Sequence, residues 1–323
     1  MRWVKYKQVI ENFFSLSILN ALNVLLPLVT LPYMLHVVGK ANYGAYSYVY
    51  AVVQYVILFS TYGFNFSATK QISQCRDDKE KVSKIYNAVT ASKTLIALSL
   101  SVLLLLCAKL VFKDGVGTLM FVYGLGMVIG DVLTPIWLFQ GMEKMKYMTI
   151  VNASSKILFT ILIFIVVRAS EDYQLLILLN SCGYLLAGVL SLILVCRQFH
   201  LRLHWATWSD IRMQLKEGSA VFGSTFGMNL YRNANVIILK QFVSDDIVGL
   251  YSAAEKVVKG FQSIISPAAQ ALFPHLSLRF KGQPVNEQMR MLRKVSIPFT
   301  SVVLVVTLGV YIFAPLISDI LCG

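Results

Sequence analysis

The chain has 323 residues, of which 57% are hydrophobic and 14% are charged, and its mean hydropathy is +0.66. A water-soluble domain of this length needs far more polar surface to cover its core, so the composition excludes an ordinary soluble protein. The formal net charge of +13 does not indicate nucleic-acid binding, because the basic residues are spread over short loops without interleaved aromatic residues.

Apolar residues form unbroken runs of about twenty residues, the length of a helix that crosses a bilayer. In chain order, the predicted spans cover residues 9–36, 44–66, 85–108, 117–139, 149–168, 174–196, 218–240, 247–273 and 295–318. A transmembrane barrel would instead show alternating segments of about ten residues. The sequence therefore predicts an all-α, polytopic integral membrane protein with nine transmembrane helices.

Basic residues in the loops lie mainly on one side of these spans. Nineteen of them fall in loops on the same side as the N-terminus, and five fall in loops on the opposite side. Positively charged loops stay in the cytoplasm during membrane insertion. The N-terminus is therefore predicted to be cytoplasmic.

The second and eighth spans share a short motif. A shift of 205 residues superposes the sequence GAYS at 44–47 on GLYS at 249–252, and each copy opens a helix that follows a short external loop. This repeat predicts two parallel six-helix lobes, the first formed by residues 1–205 and the second begun by residues 206–323. We therefore expect a complete protein of twelve helices or more and a chain truncated after its ninth. A true nine-helix protein is the alternative.

Five basic residues lie inside the predicted spans: Lys93, Lys156, Arg232, Lys256 and Lys259. A charge at the centre of such a helix costs about 2.5–3.5 kcal/mol on insertion, so these side chains are expected to face a polar cavity that accepts anions. Lys93 and Lys156 lie nearer the ends of their spans. The alternative for these two is that their long side chains extend to the membrane interface.

Two acidic residues are candidates to balance these charges. Glu255 lies four residues before Lys259, so the two side chains can form a local pair that leaves Lys256 to the cavity. Asp131 is a lone acid in the fourth span, and it is expected either to balance a cation, with Arg232 as the candidate, or to gain and lose a proton as the protein functions.

The sequence predicts no catalytic, cofactor or metal site. His200 and His204 have a spacing compatible with a metal ion, but no carboxylate or thiol in that loop completes a set of ligands. The loops are too short for a soluble catalytic domain, and they contain no phosphate-binding loop. We therefore expect a protein that is not an enzyme.

Three groups of residues resemble motifs of bacterial polysaccharide flippases. They are WLFQGMEKMK at 137–146, LPY at 31–33 followed by Gly39 and Tyr43-Gly44, and VGLYSAA at 248–254. Together they resemble the Wzx-type O-antigen and exopolysaccharide flippases of the multidrug/oligosaccharidyl-lipid/polysaccharide exporter superfamily. The match runs along the whole chain.

The resemblance implies a carrier in the bacterial inner membrane that moves an undecaprenyl-pyrophosphate-linked oligosaccharide from the cytoplasmic to the periplasmic leaflet by alternating access. A cationic cavity would suit the pyrophosphate, with Arg232, Lys256 and Lys259 as the first candidate contacts. Expected partners are the bilayer, a polysaccharide polymerase and other assembly proteins. Asn235 stands where many relatives carry an acidic residue, which leaves ion coupling at that position open.

Three other functions stay open on the sequence alone. A drug or cation exporter of the same superfamily is expected to have an acid-rich, aromatic lumen. A non-transporting remnant would follow from the absence of three helices. A membrane glycan polymerase generally needs a large external loop with catalytic groups, whereas the external loops here are short.

Overall fold

The computed structural model describes the backbone of residues 2–111, 115–280 and 285–312 and of 314, 315 and 319. Side-chain surroundings are described for 18–110, 115–223, 227 and 234–262, and for scattered positions from 289 onward. Throughout these residues the regular structure is helical and no strand occurs.

The described residues form eleven helices and a single short 3-10 turn at Ser170–Asp172. The helices are α1 (Arg2–Val38), α2 (Lys40–Thr61), α3 (Phe64–Gln74), α4 (Lys79–Val111), α5 (Val116–Leu133), α6 (Ile136–Gly141), α7 (Met145–Val166), α8 (Tyr173–Arg197), α9 (Trp208–Leu239), α10 (Asp245–Phe280) and α11 (Val285–Ile312).

Six stretches of this helical chain are long and apolar enough to cross a membrane. They are Ile18–Val38, Lys40–Gln74, Lys79–Leu110, Val116–Gly141, Met145–Val166 and Ser170–Arg197. The prediction of an all-α, multi-pass membrane protein is therefore confirmed. The predicted spans 218–240, 247–273 and 295–318 fall on α9, α10 and α11 and partly outside the described residues, so the number nine stays a prediction.

Two of the membrane-length stretches contain a break, and each break has a local cause. Between α2 and α3 the backbone turns through Tyr62 and Gly63, which both have positive φ. A side chain on Gly63 would also meet α9, because a Cβ there would lie 2.9 Å from the carbonyl oxygen of Gly218. Between α5 and α6, Pro135 has no N–H to donate to the carbonyl of Asp131, so the helix ends.

Apolar side chains form two buried clusters. The larger one joins α1, α2, α4, α5, α7, α8 and α10, and its fully buried members include Leu31, Tyr43 and Met127. The smaller one brings α3 and α4 against α6 and includes Phe64 and Trp137. These clusters hold the six membrane-length stretches together, and Ala253 and Val257 extend the larger one into the contact between α2 and α10.

The contact between α2 and α10 joins the two copies of the repeated motif. A Cβ on Gly44 would lie 2.0 Å from the carbonyl oxygen of Asp245, and a Cβ on Gly249 would lie 2.1 Å from that of Lys40. Lys40 and Asp245 are related by the same shift of 205 residues as the two glycines. The crossing therefore has approximate twofold symmetry, as two similarly oriented units require. The division into lobes at residue 205 stays a prediction.

Candidate functional site

A cavity of about 610 Å³ lies between α2 and α3 on one side and α9 and α10 on the other. We call it the central cavity. Its wall follows α2 from Tyr46 to Thr61, a distance of about 22 Å along a helix that rises 1.5 Å per residue. Because α2 and α10 carry the two copies of the motif, the central cavity lies between the predicted lobes.

The α10 wall of the central cavity is polar because of its residue spacing. Ser252, Glu255, Lys256 and Lys259 line the cavity and recur every three or four residues, so they share one face of the helix. The adjoining face carries apolar side chains such as Ala253 and Val257 and is buried. Helix α10 thus anchors itself with one face and presents charge on the other.

Lys259 and Lys256 have different surroundings. Lys259 pairs with Glu255 at 3.1 Å, in the geometry that the four-residue spacing favours. The Lys256 ammonium lies 5.1 Å from the ring centroid of Tyr43 and 5.7 Å from that of Tyr46, within cation–π range. No carboxylate among the described residues lies within ion-pairing distance of Lys256. Lys256 therefore contributes a positive charge to the cavity wall.

Asp131 contacts Lys93. The Lys93 ammonium lies 2.7 Å from Oδ2 of Asp131 and also donates a 2.7 Å hydrogen bond to its backbone carbonyl. That carbonyl would bond the N–H of residue 135 in a regular helix, but residue 135 is proline. The Thr134 N–H donates to that carbonyl instead, at 3.2 Å, so Lys93 balances the carboxylate and is a second donor to the carbonyl at the α5 break.

The surroundings of Lys93 differ from those expected of a cavity cation. Its side chain is 6% exposed, so it does not extend to an interface, and it lines neither the central cavity nor the cavity described next. The cation beside Asp131 was expected to be Arg232, which lies in α9. The side chain of Arg232 is outside the described residues.

A second cavity, of about 330 Å³, lies among α1, α2, α5, α7 and α8, and we call it the side cavity. Lys156 of α7 lines it, so this side chain faces a polar space inside the helix bundle. Tyr46, Tyr50, Asp131 and Lys256 line both cavities and form their common wall. Lys256 therefore borders both the central cavity and the side cavity.

Two serines that served only as repeat markers in the sequence also belong to the site. Ser47 and Ser252, which are 205 residues apart, both line the central cavity and are 6% and 4% exposed. Within the described part of the chain, neither hydroxyl has a hydrogen-bond partner. A buried hydroxyl without a partner is costly, so this pair is suited to bind a polar ligand. Its position in the repeat is the signal that could have identified it.

The tryptophan motif at 137–146 has a packing function. Trp137, Leu138 and Phe139 are buried, and the Thr69 hydroxyl lies 3.2 Å from the carbonyl oxygen of Trp137. Further along, Glu143 pairs with Arg76 at 2.7 Å. The motif thus fastens α6 to α3 without lining the central cavity.

The two histidines of the loop before α9 do not assemble a metal site. Nδ1 of His204 lies 3.0 Å from the amide nitrogen of Asn87, which ties the loop to α4. Among the residues that the structure describes, no three His, Cys, Asp or Glu side chains come together in a group that could hold a metal ion.

Comparison with known proteins assigns the chain to a family. Residues 9–279 match the family described as "Polysaccharide biosynthesis protein". The chain belongs to this family. That membership agrees with the resemblance drawn from the three motifs, which is confirmed.

Two curated relatives of this chain carry the same name, "Putative O-antigen transporter". The one from Escherichia coli (strain K12) is 32% identical over 267 residues, which cover 83% of this chain and 64% of the relative. The one from Shigella dysenteriae is 26% identical over 314 residues, covering 97% of this chain and 78% of the relative. The chain thus spans slightly under two thirds of the E. coli relative. No solved structure matches it significantly.

Proposed function

We propose that this protein is a flippase that moves an oligosaccharide linked to polyprenyl pyrophosphate across the bacterial inner membrane. Family membership and the names of the two relatives support a role in polysaccharide transport. The observation that carries the proposal furthest is the central cavity, which lies between the two repeated helices and has Lys256 on its wall. We further propose that the N-terminus is cytoplasmic and that a polysaccharide polymerase receives the product.

The lining of the central cavity suits a glycan joined to an anion. Amides of Gln54 and Asn65 and the hydroxyls of Ser47 and Ser252 can bond sugar hydroxyls, and aromatic rings can cover the apolar faces of sugar rings. The Lys256 ammonium would pair with an oxyanion of the pyrophosphate. The polyprenyl tail would remain in the surrounding bilayer.

The charge balance favours an anionic substrate over a cationic drug. The two acidic side chains on the described wall of the central cavity are both paired. Glu255 pairs with Lys259, and Asp131 pairs with Lys93. The remaining charge on the described wall belongs to Lys256. A cation would therefore meet a positive surface, which argues against the alternative of a drug exporter.

Transport would proceed by alternating access between two lobes. In the described conformation, α2 and α10 are in close contact at Gly44 and Gly249, and α9 contacts the α2–α3 break at Gly63. Both sets of contacts join helices of the two predicted lobes. Rocking of one lobe against the other would separate one set while keeping the other, and would so expose the central cavity to one leaflet at a time.

The test is a strain that lacks the complete gene. We expect lipid-linked repeat units to accumulate on the cytoplasmic leaflet and surface polysaccharide to disappear, and the wild-type gene to reverse both effects. Lys256→Ala should lower the rate of translocation about tenfold or more, the effect of removing one charge-assisted bond, whereas Lys256→Arg should retain most of it. Lys109→Ala, which removes an exposed lysine at the end of α4, is the control. Normal surface polysaccharide without accumulation would contradict the proposal.

A further inference from the structure

The side cavity has the properties of a binding site in its own right. Its polar lining includes Asn23, Asn152 and Asn180 and the hydroxyls of Thr30 and Thr160. Thr30, Asn152 and Asn180 each donate a hydrogen bond within the protein, so these side chains are held in place and give the cavity a fixed polar wall. A volume of about 330 Å³ is near the lower limit of ligand pockets, which accommodates one sugar or phosphate group rather than a whole oligosaccharide.

Charges in the side cavity favour an anion. Its charged lining residues are Asp131, Lys156 and Lys256, and Asp131 is paired with Lys93. No ion pair involves Lys156 or Lys256 within the described portion of the chain. Two lysines without an acidic partner therefore line one small space, and an oxyanion bound there could accept charge-assisted hydrogen bonds from them.

Lys256 joins this site to the central cavity. Among the described lining residues of the side cavity, Lys256 comes from α10 and the others lie before residue 205. The residue equivalent to Lys256 in the first copy of the motif is Ala51, so the repeat does not generate a second such lysine. Movement of α10 against the first six membrane-length stretches would thus shift one wall of the side cavity and its charge.

We propose that the side cavity is a second anion-binding subsite, formed by Lys156 and Lys256, and that Lys256 contacts the substrate's anionic group in both cavities in turn. The source of the anion rests on the proposed function, because a flippase substrate could supply the oxyanion from its pyrophosphate or from an acidic sugar. The binding itself follows from the two lysines and the polar lining.

The experiment measures anion binding to the purified protein in lipid nanodiscs by isothermal titration calorimetry. Inorganic pyrophosphate and glucuronate represent the two sources of the oxyanion, and glucose is the neutral probe. We expect at least one anion to bind at two sites in the wild-type protein. Lys156→Gln should weaken one site by about tenfold to a hundredfold, the effect of losing one charge-assisted bond. Lys256→Gln should weaken both sites.

The matched control is Lys146→Gln. Lys146 lies on the same helix as Lys156 but contacts the ring of Tyr147 and lines neither cavity, so its loss should leave both sites unchanged. Lys156→Arg retains the charge and should retain both sites. A second measurement needs no substitution: the anion that binds should slow acetylation of Lys156 in the wild-type protein, measured by mass spectrometry.

The outcomes separate the two sources and the two proposals. Loss of pyrophosphate binding alone in Lys156→Gln identifies the pyrophosphate as the group bound in the side cavity, and loss of glucuronate binding alone identifies an acidic sugar. Unchanged binding of both anions by Lys156→Gln, together with unprotected Lys156, overturns the subsite even if the protein translocates its substrate. Conversely, Lys156-dependent binding in a protein whose deletion leaves surface polysaccharide normal would retain the subsite and refute the flippase.

Discussion

Replacing Gly44 or Gly249 by alanine is expected to force α2 and α10 apart. The added Cβ of Gly44→Ala would lie 2.0 Å from the carbonyl oxygen of Asp245, whereas ordinary contact begins at 3.4 Å. The opposing atom belongs to the backbone of a helix and cannot rotate away. The two helices must therefore separate locally by about 1.4 Å, the difference between these distances.

Two opposing effects determine the size of the change in stability. Overpacking of this kind costs about 1–3 kcal/mol. Alanine in place of glycine also restricts the unfolded chain and favours the helix, which stabilises by about 0.4–1 kcal/mol. Gly223→Ala or Gly227→Ala in α9 measures the second effect alone, because a Cβ at either position meets no atom of the described residues within 4 Å. Gly44→Ala should thus be less stable than Gly223→Ala by about 1–3 kcal/mol.

The twofold relation also predicts how the two changes in stability combine in the double variant. Because one displacement of α2 from α10 relieves both new contacts, Gly44→Ala/Gly249→Ala should cost clearly less than the sum of its single variants. Each single variant should cost about the same as the other, since the two contacts are equivalent.

The assay is unfolding of the purified protein in detergent micelles by increasing SDS, followed by circular dichroism. Binding of pyrophosphate, measured in parallel, reports whether the crossing also shapes the cavities. If Gly44→Ala were as stable as Gly223→Ala, or if the two single effects added fully in the double variant, the close and symmetric crossing would be refuted.

Two more predictions concern charged groups and use the same unfolding assay. Lys93→Gln should lower the free energy of unfolding by about 3–5 kcal/mol, because it leaves the Asp131 carboxylate unpaired. The double variant with Asp131→Asn should recover part of that loss. A double variant that recovers none of it would contradict the pairing. The pKa of Asp210 lies below its ordinary value of 3.8 because the Thr207 hydroxyl and the Lys84 ammonium stabilise the carboxylate. A carboxyl group whose pKa is lowered on folding stabilises the folded protein at pH values above the pKa of the unfolded chain. That contribution is lost as the pH falls through the folded-state pKa. Asp210→Asn should therefore destabilise the protein at neutral pH and flatten the acid dependence below about pH 4; an unaltered acid dependence would exclude this contribution.

Local spacing was enough to predict part of the candidate site. The pairing of Glu255 with Lys259 follows from a separation of four residues on one helix. The position of Lys256 on the same polar face follows from the same periodicity. These features were accessible because both members of each contact belong to one helix.

Contacts between helices were less accessible. Asp131 needed a cation, but its partner Lys93 is 38 residues away on another helix. Lys93 also donates a hydrogen bond to the Asp131 backbone carbonyl at the Pro135 break, which the spacing of residues did not predict. The sequence left two alternatives for the Lys156 side chain, which could extend to the membrane interface or face a cavity. Helix α7 packs against α1 and α8, and this packing places Lys156 on the wall of the side cavity.

The sequence by itself determined the class of this protein, because a bilayer allows few ways to satisfy the backbone of so apolar a chain. It also determined the 205-residue register of the repeat, because the matching Gly, Tyr and Ser residues at 44–47 and 249–252 align in one way. Only the tertiary structure decided that Gly44 and Gly249 face each other, that Ser47 and Ser252 share a cavity, and that Lys256 borders two cavities. These contacts depend on how helices distant in sequence cross, and helix periodicity restricts the face that a residue occupies but not the helix that it meets.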